Sequence, residues 1–300
     1  ATDPRSAPAI VGVMPDQGEA PYVNSLQKAT RKIDVMIYMM GFGAVLDTLK
    51  AKAQAGVKVR VILDQGQKDV NQKYADQLTA AGAQTAWSDP KFPYMHAKTF
   101  VVDDQEAVIS TGNYLKSNVM SERNFAATVR DPEDIASFNA LFEADWNKTS
   151  PDLKCTRLLV SPINSKQRIL DVINGAKKSL VVESMQFGEN DVRAAVVARK
   201  KAGVDVRVLL AAPSWISANT SAGQYLTQNQ VPARYLANPE LHVKALVADG
   251  EVAYIGSENL SSTSLTQNRE VGLVLTKTEQ PGVDAIAATI DKDWAAATSF

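Results

Sequence analysis

The chain contains two histidines, His96 and His242, and both stand in the same setting. The first opens His96-Ala97-Lys98, runs four residues on to Asp103, and continues to Thr111 and Asn113. The second opens His242-Val243-Lys244, runs four residues on to Asp249, and continues to Ser257 and Asn259. With Lys and Asp each filling roughly one position in twenty, a histidine meets that spacing by chance about once in 400, and two do so on the order of once in 10⁵. Residues i and i+2 of a strand face the same way, so each imidazole is expected to project together with its lysine. Two imidazoles, two ammonium groups, the Asn113 and Asn259 amides and the Thr111 and Ser257 hydroxyls form a cationic, donor-rich set suited to a phosphate oxyanion. Paired imidazoles also supply the two agents that phosphodiester cleavage needs. One attacks phosphorus and forms a phosphohistidine; the other protonates the leaving alkoxide and then activates water or an alcohol. Lysines beside both histidines repel a divalent cation, and a single cysteine, Cys155, excludes a cysteine-built zinc site. No metal and no cofactor is expected.

The elements that must position these residues come in two copies. Met14-Pro15 and the stretch Ala29 to Gly41 recur 147 residues later as Ser161-Pro162 and Ala176 to Gly188. Ala55-Gly56-Val57 recurs as Ala202-Gly203-Val204 at the same offset, and His96 to Asn124 recurs at an offset of 146. Ile135, Phe138, Phe142 and Trp146 match Val283, Ile286, Ile290 and Trp294 at 148. Such self-similarity marks two structural units. Within each, strands are expected at 33–40 and 180–185, then helices at 44–55 and 191–202 closed by Gly56 and Gly203. Nearly continuous apolar runs at 57–63 and 204–210 read as strands buried on both faces. Two further strands flank Asp103-Asp104 in one copy and Asp249-Gly250 in the other, a hairpin pattern. A terminal amphipathic helix follows, the first capped by Asp131-Pro132, with Trp146 and Trp294 as core anchors. The expected fold class is α/β: two pseudo-twofold-related lobes, 1–150 and 151–300, each a mixed sheet flanked by helices.

Composition bounds the partners. Of 300 residues 45 % are apolar, enough for a large core, and the net charge of −1 argues against a basic nucleic-acid coat. The longest run of apolar residues and glycine, Val35 to Leu46, has twelve residues, short of the roughly twenty that span a bilayer. The first residue is Ala1 rather than Met, which fits either a removed leader or a trimmed start; a secreted or periplasmic location is expected. Cys155 is expected as a small buried hydrophobe. Arg60 and Arg207 are read as structural ion-pairing residues rather than anion guides.

The paired His-x-Lys-x₄-Asp motifs resemble those of the phospholipase D superfamily, and the repeat framework follows that family's two-lobe plan. The resemblance implies the phospholipase D fold, a phosphohistidine intermediate, no cofactor, and a structural role for Asp103 and Asp249. It also implies an acid that orients a histidine, found here as Glu270 in Asn268-Arg269-Glu270, 28 residues after His242. The first copy has Asn124 there, in Glu122-Arg123-Asn124, with Glu122 as a rival orienter. A carboxylate favours the imidazolium, so the expectation is that His96 is the nucleophile and His242, held protonated by Glu270, the first general acid. A second departure sets Ser110-Thr111-Gly112 against Gly256-Ser257-Glu258. The expected substrate is a glycerophospholipid with water or an alcohol as acceptor. Met39 to Phe42 and Pro213 to Ile216 would border the pocket, and a peripheral contact with a membrane surface is expected. The alternatives are a metal-independent nuclease, a non-enzymatic head-group-binding module, and a cardiolipin synthase-like activity. Because both motifs lie in one chain, a monomer is expected to suffice.

Overall fold

The computed structural model describes residues 4–300. The first sheet contains β1 (Ile10–Met14), β2 (Lys32–Ile37), β3 (Lys58–Leu63), β4 (Gln84–Trp87), β5 (Lys98–Val102), β6 (Glu106–Ser110) and β7 (Glu122–Val129). Their order is β1-β7-β6-β5-β2-β3-β4. The second contains β8 (Leu159–Ser161), β9 (Ser179–Ser184), β10 (Asp205–Ala211) and β11 (Ala233–Leu236). After the two-residue β12 (Glu240–Leu241) come β13 (Lys244–Ala248), β14 (Val252–Gly256), β15 (Glu270–Leu275) and β16 (Thr298–Ser299). Here the order is β16-β11-β10-β9-β13-β14-β15-β8, which repeats the first arrangement with a closing strand added at one edge. β12 crosses over and pairs in parallel with β7 of the first lobe.

The helices are α1 (Ala20–Leu26), α2 (Ala44–Gln54), α3 (Lys68–Ala80), α4 (Lys116–Ser121) and α5 (Pro132–Trp146) in the first lobe. The second lobe has α6 (Ser165–Gly175), α7 (Asn190–Lys201), α8 (Asn219–Gln228), α9 (Ser262–Thr266) and α10 (Gln280–Ala296). α2 crosses between parallel β2 and β3, and α7 between parallel β9 and β10, as the βαβ pattern requires. Gly56 and Gly203 close these helices with φ of 88° and 87°, a left-handed conformation that favours glycine. Asp131 caps α5 by accepting the N–H groups of Glu133 and Asp134.

Strand alternation divides the apolar residues between two cores. Ile33, Val35 and Ile37 point outward onto α1–α3, and Leu180, Val182 and Val206 onto α6–α8. Met36, Ile62, Leu209 and Ala211 point inward, into one cluster shared by both sheets. α5 and α10 fill the centre of that cluster with Ile135, Phe138, Phe142, Ile286 and Ile290, and Trp146 and Trp294 pack on its border. The two sheets therefore meet through a common hydrophobic layer, which fixes one lobe against the other. Arg60 pairs with Asp34 at 2.7 Å and Glu143 at 2.5 Å, and Arg207 with Asp291 at 2.8 Å, so both are structural. Among the described residues no helix is long and apolar enough to cross a membrane.

Two local expectations need correction. β2 stops at Ile37 rather than continuing to residue 40, because Met40 leaves the sheet to pair with Tyr114 and donates its N–H to Asn71 Oδ1 at 3.1 Å. Cys155 is exposed; it lies in the irregular connection between the lobes, outside any packed element.

The motif aspartates sit at the hairpin tips, at φ of 53° and 57°. Asp103 accepts the N–H groups of Thr30, Arg31 and Lys32 at 2.8 Å each, and Asp249 those of Lys177, Lys178 and Ser179. Burial opposes the charge on Asp103, but these donors prevail and hold its carboxyl at about 2. Each aspartate thus ties its hairpin to the start of the neighbouring antiparallel strand, β2 or β9.

Candidate active site

Each histidine stands two residues before the start of a strand and is pinned to the other lobe. The His96 N–H donates to Arg269 O at 2.8 Å, and the His242 N–H to Arg123 O at 3.2 Å. The two arginines are buried and reach back across the interface: Arg123 Nε lies 2.6 Å from Asp293 on α10, and Arg269 Nε 2.9 Å from Asp145 on α5. A pair of equivalent ion pairs therefore sets the registry that brings both motifs to one place. Breaking one would leave a buried, uncompensated charge.

The lysines open β5 and β13. Lys98 Nζ donates to His96 O at 2.6 Å, and Lys244 Nζ to His242 O at 2.5 Å and to Thr111 O of the first lobe at 3.3 Å. Burial pushes Lys98 down to about 7, against the pull of Glu270 and Asp64, and pushes Lys244 well below the ordinary lysine range, helped by the Lys98 charge. His96 is lowered by burial, which outweighs Glu270; His242 is lowered further, by burial and then by Lys244, Lys98 and His96. Burial is the leading cause in all four, so an anion held between them would favour their protonated forms.

The orienting residues differ from the expectation. Glu270 does not touch His242; its Oε2 accepts His96 Nδ1 across the lobe interface at 2.9 Å. His242 Nδ1 instead lies 3.1 Å from Asn124 Oδ1, with Glu122 Oε2 at 3.9 Å. The reason is the pinning just described: a histidine bonded to the opposite lobe's β7 or β15 must meet the side chain that strand presents. The amide orientation of Asn124 is set by its neighbours, because Nδ2 donates to Glu122 Oε2 at 3.2 Å. In the second copy Asn268 Nδ2 donates to Glu270 Oε1 at 3.1 Å. The same Asn–Glu dyad is thus present twice with its order reversed. The reversal gives His96 a carboxylate and His242 an amide.

Thr111 and Ser257 also take a different place from the one expected of phosphate ligands. Thr111 Oγ1 donates its proton to Asn124 Oδ1 at 2.8 Å and Ser257 Oγ donates to Glu270 Oε2 at 2.7 Å. Each oxygen accepts a backbone N–H, from Phe125 or Val271, at 3.0 Å. A hydroxyl has one proton, and here it holds an orienting residue. Asn113 and Asn259 are different: neither amide oxygen has a partner, and Asn113 is buried.

Several neighbours were not singled out from sequence. The Tyr38 ring packs edge-on to His96 at 4.5 Å with Lys98 Nζ 5.1 Å above it, and Trp215 lies 6.1 Å from the His242 ring. Asp64 accepts the N–H of Met95, the residue before His96, at 2.6 Å, and burial pushes its carboxyl up to about 6. Ser264 donates to Glu270 Oε1 at 2.5 Å. Trp215 belongs to the Pro213–Ile216 segment noted for its apolar character; the others carry no signal in spacing. Among the described residues, no group of three or more His, Cys, Asp or Glu is arranged to hold a metal ion.

Glu258 replaces Gly112 of the first copy and is fully buried. It accepts from Ser165 Oγ at 2.8 Å and Tyr254 OH at 2.7 Å. Cross-strand Gly256 and Gly272 leave the space for it, since a Cβ on either would lie 2.2 or 2.6 Å from Glu258 Oε2. Burial, then the Glu270 charge, push its carboxyl from the usual 4.5 up to about 8. The folded state therefore keeps a proton that the unfolded chain releases above about pH 4.5. The corresponding stability is complete below that pH and is lost as pH rises through about 8. Glu258→Gln is accordingly expected to melt close to wild type at about pH 5 and a few degrees higher at about pH 9. Thermal unfolding across that range reads it; a gap that fails to widen with pH would place the proton elsewhere.

Comparison with known proteins bears on the family and the fold. The family model described as cardiolipin synthase, PLD-like domain, matches residues 22–146 and 169–294. Cardiolipin synthase B of Escherichia coli (strain K12) is 25 % identical over 272 residues, covering 76 % of this chain and 65 % of that protein. Cardiolipin synthase of Geobacillus kaustophilus is 25 % identical over 303 residues, covering 85 % of this chain and 60 % of that protein. The chain thus spans less than two thirds of the length of these curated relatives. Among solved structures, phosphatidylserine synthase from Haemophilus influenzae superposes with a TM-score of 0.71 at 14 % identity, covering 96 % of this chain and 88 % of that one. Polyphosphate kinase from Porphyromonas gingivalis also reaches 0.71, at 16 % identity, over 89 % of this chain and 44 % of that one. Those likenesses show the fold. With two motif-bearing lobes joined at one histidine pair, and with the family match running through both of them, the chain belongs to the phospholipase D-like family.

Proposed function

We propose that the chain is a phospholipase D-type enzyme that exchanges or hydrolyses the head group of a glycerophospholipid, with His96 as nucleophile and His242 as general acid. The reason first expected for these roles, Glu270 holding His242 protonated, does not apply, because Glu270 bonds His96; the observation that carries the assignment is the reversed Asn–Glu dyad, which fixes the Nδ1–H tautomer of His96. Glu270 accepts a hydrogen bond from the Nδ1–H of His96, which directs the Nε2 lone pair at the phosphorus and stabilises the positive charge that develops when the P–N bond forms. His242, paired with an amide and flanked by lysine, gives up a proton readily once the bound phosphate has allowed it to acquire one. Lys98, Lys244, Asn113 and Asn259 bind the phosphate oxygens. In the first step the P–O bond to the leaving alcohol breaks as the P–N bond forms, and the His242 proton goes to the alkoxide. In the second, His242 takes a proton from water or an incoming alcohol, whose oxygen displaces His96.

Transfer to an alcohol is supported by the cardiolipin synthase names of the relatives, and lipid rather than nucleic acid by the net charge of −1. Turnover is to be measured in EDTA, with phosphatidylglycerol and phosphatidylcholine vesicles and single-stranded DNA in parallel and His96→Ala as control. Head-group release or transfer that the variant abolishes supports the proposal. DNA cleavage without lipid turnover makes the chain a nuclease, and inhibition by EDTA removes the metal-free mechanism. A chain that binds head groups but turns over neither substrate is a binding module. A secreted or periplasmic setting remains part of this proposal, to be read by fractionation of the producing cell.

A further inference from the structure

We propose that the rim of the first lobe beside the active site, built by Phe42, Leu115 and Met120, docks onto an anionic lipid surface; this deepens the lipid reading above and rests on it. A groove of about 530 Å³ runs between Phe42, Tyr74, Leu115 and Met120. Phe42 is 66 % exposed and Met120 52 %. Phe42 stands edge-on to Tyr74 at 5.3 Å, and Lys73 Nζ lies 5.6 Å above its ring. Lys116 stands at the same rim. Exposed aromatic and thioether groups with Lys73 and Lys116 beside them, and with one carboxylate, Glu19, near Gly43, fit a membrane boundary, with hydrocarbon below and anionic phosphates around.

The groove's residues stand close to site residues along the chain. Leu115 follows Asn113 by two residues, so their Cα atoms are at most about 7 Å apart. Phe42 follows Tyr38, whose ring touches His96, by four residues.

The internal repeat supplies the control. The backbone is the same in the second lobe: Met40 bridges Tyr114 as Phe187 bridges Leu260, and Gly41 N donates to Tyr114 O as Gly188 N does to Leu260 O. One residue further on, Phe42 is matched by Glu189, Leu115 by Ser261, Lys116 by Ser262 and Met120 by Thr266. Glu189 serves the fold there, capping α7 through the Val192 N–H at 2.8 Å and pairing with Lys166 at 2.9 Å. Phe42 caps nothing; α2 has no side-chain cap at Gly43. The fold therefore does not require apolar groups at these positions, and leaving them in water gains nothing by burial. A lipid surface would account for both the apolar residues and their lysine border.

Co-sedimentation of wild type and Phe42→Ser/Met120→Ser with phosphatidylglycerol and with phosphatidylcholine vesicles tests this. Both side chains are exposed, so the double variant should keep the wild-type melting temperature. Its binding to phosphatidylglycerol vesicles is expected to fall by about ten-fold or more. Turnover of a short-chain phospholipid kept below its micelle concentration should stay within about two-fold. Lys116→Glu is expected to weaken vesicle binding at low salt and to matter little at high salt. Equal vesicle binding by wild type and double variant overturns the proposal, as does a wild-type dimer that the double variant dissolves, which would make the groove an interface between copies. Sedimentation needs no turnover, so an enzyme inert on every phospholipid would sink the lipid-enzyme reading while the vesicle result stands separately.

Discussion

His96→Asn is expected to lower turnover by about 10⁴-fold or more while the protein melts near the wild-type temperature. The imidazole contributes only one side-chain hydrogen bond to an orienting residue, from Nδ1 to Glu270, and a second short contact to Ser257 O at 3.2 Å. An asparagine retains a donor in that region but has no nucleophilic nitrogen. His242→Asn should cost nearly as much, because the alkoxide then leaves unprotonated. The two losses are not additive, since each residue acts only in concert with the other. What separates the roles is where the phosphoryl group rests. Rapid quenching of wild type with ³²P-labelled phospholipid should leave label on the peptide containing His96. Label on the His242 peptide would reverse the assignment, with Glu270 then acting to hold His96 as the imidazolium acid.

Glu270→Gln is expected to cost about 10²- to 10⁴-fold in kcat, comparable to neutralising the carboxylate of a hydrolytic triad. The glutamine fills the same space between Ser257, Ser264 and Asn268 but carries no charge. Glu270 is itself held ionised: burial would raise it, yet His96, Lys98 and the Ser257 hydroxyl bring it below the usual carboxylate range. Its charge opposes the lowering of His96 by burial. Removing that charge lowers His96 further, so the acid limb of kcat/KM against pH should move to lower pH while the plateau falls. A drop in kcat with an unmoved acid limb would mean that Glu270 acts by packing alone. Glu270→Asp should restore part of the activity and the original limb. Asn124→Ala is expected to cost less, about ten-fold, because it removes a neutral hydrogen bond from His242.

The contrast between Glu270 and its expected partner shows where reading the chain reached its end. The two motifs, the repeat, the capped helices, the hairpins at Asp103 and Asp249 and the inward stripe of Ile135, Phe138 and Phe142 are all local patterns, set by residue type and by periods of two and 3.6. Sequence by itself therefore determined the lobes' elements and named His96, Lys98, His242 and Lys244 as one group. Which side chain faces which imidazole is a property of the interface. It depends on α5 and α10 packing both sheets into one core, and on Arg123 and Arg269 reaching across it to Asp293 and Asp145. Only the tertiary structure could place Glu270 against His96, turn Thr111 and Ser257 toward the orienting residues, and bring Tyr38 and Trp215 beside the rings. Glu270 and His96 stand 174 positions apart, and no periodicity along the chain encodes that pairing or the others.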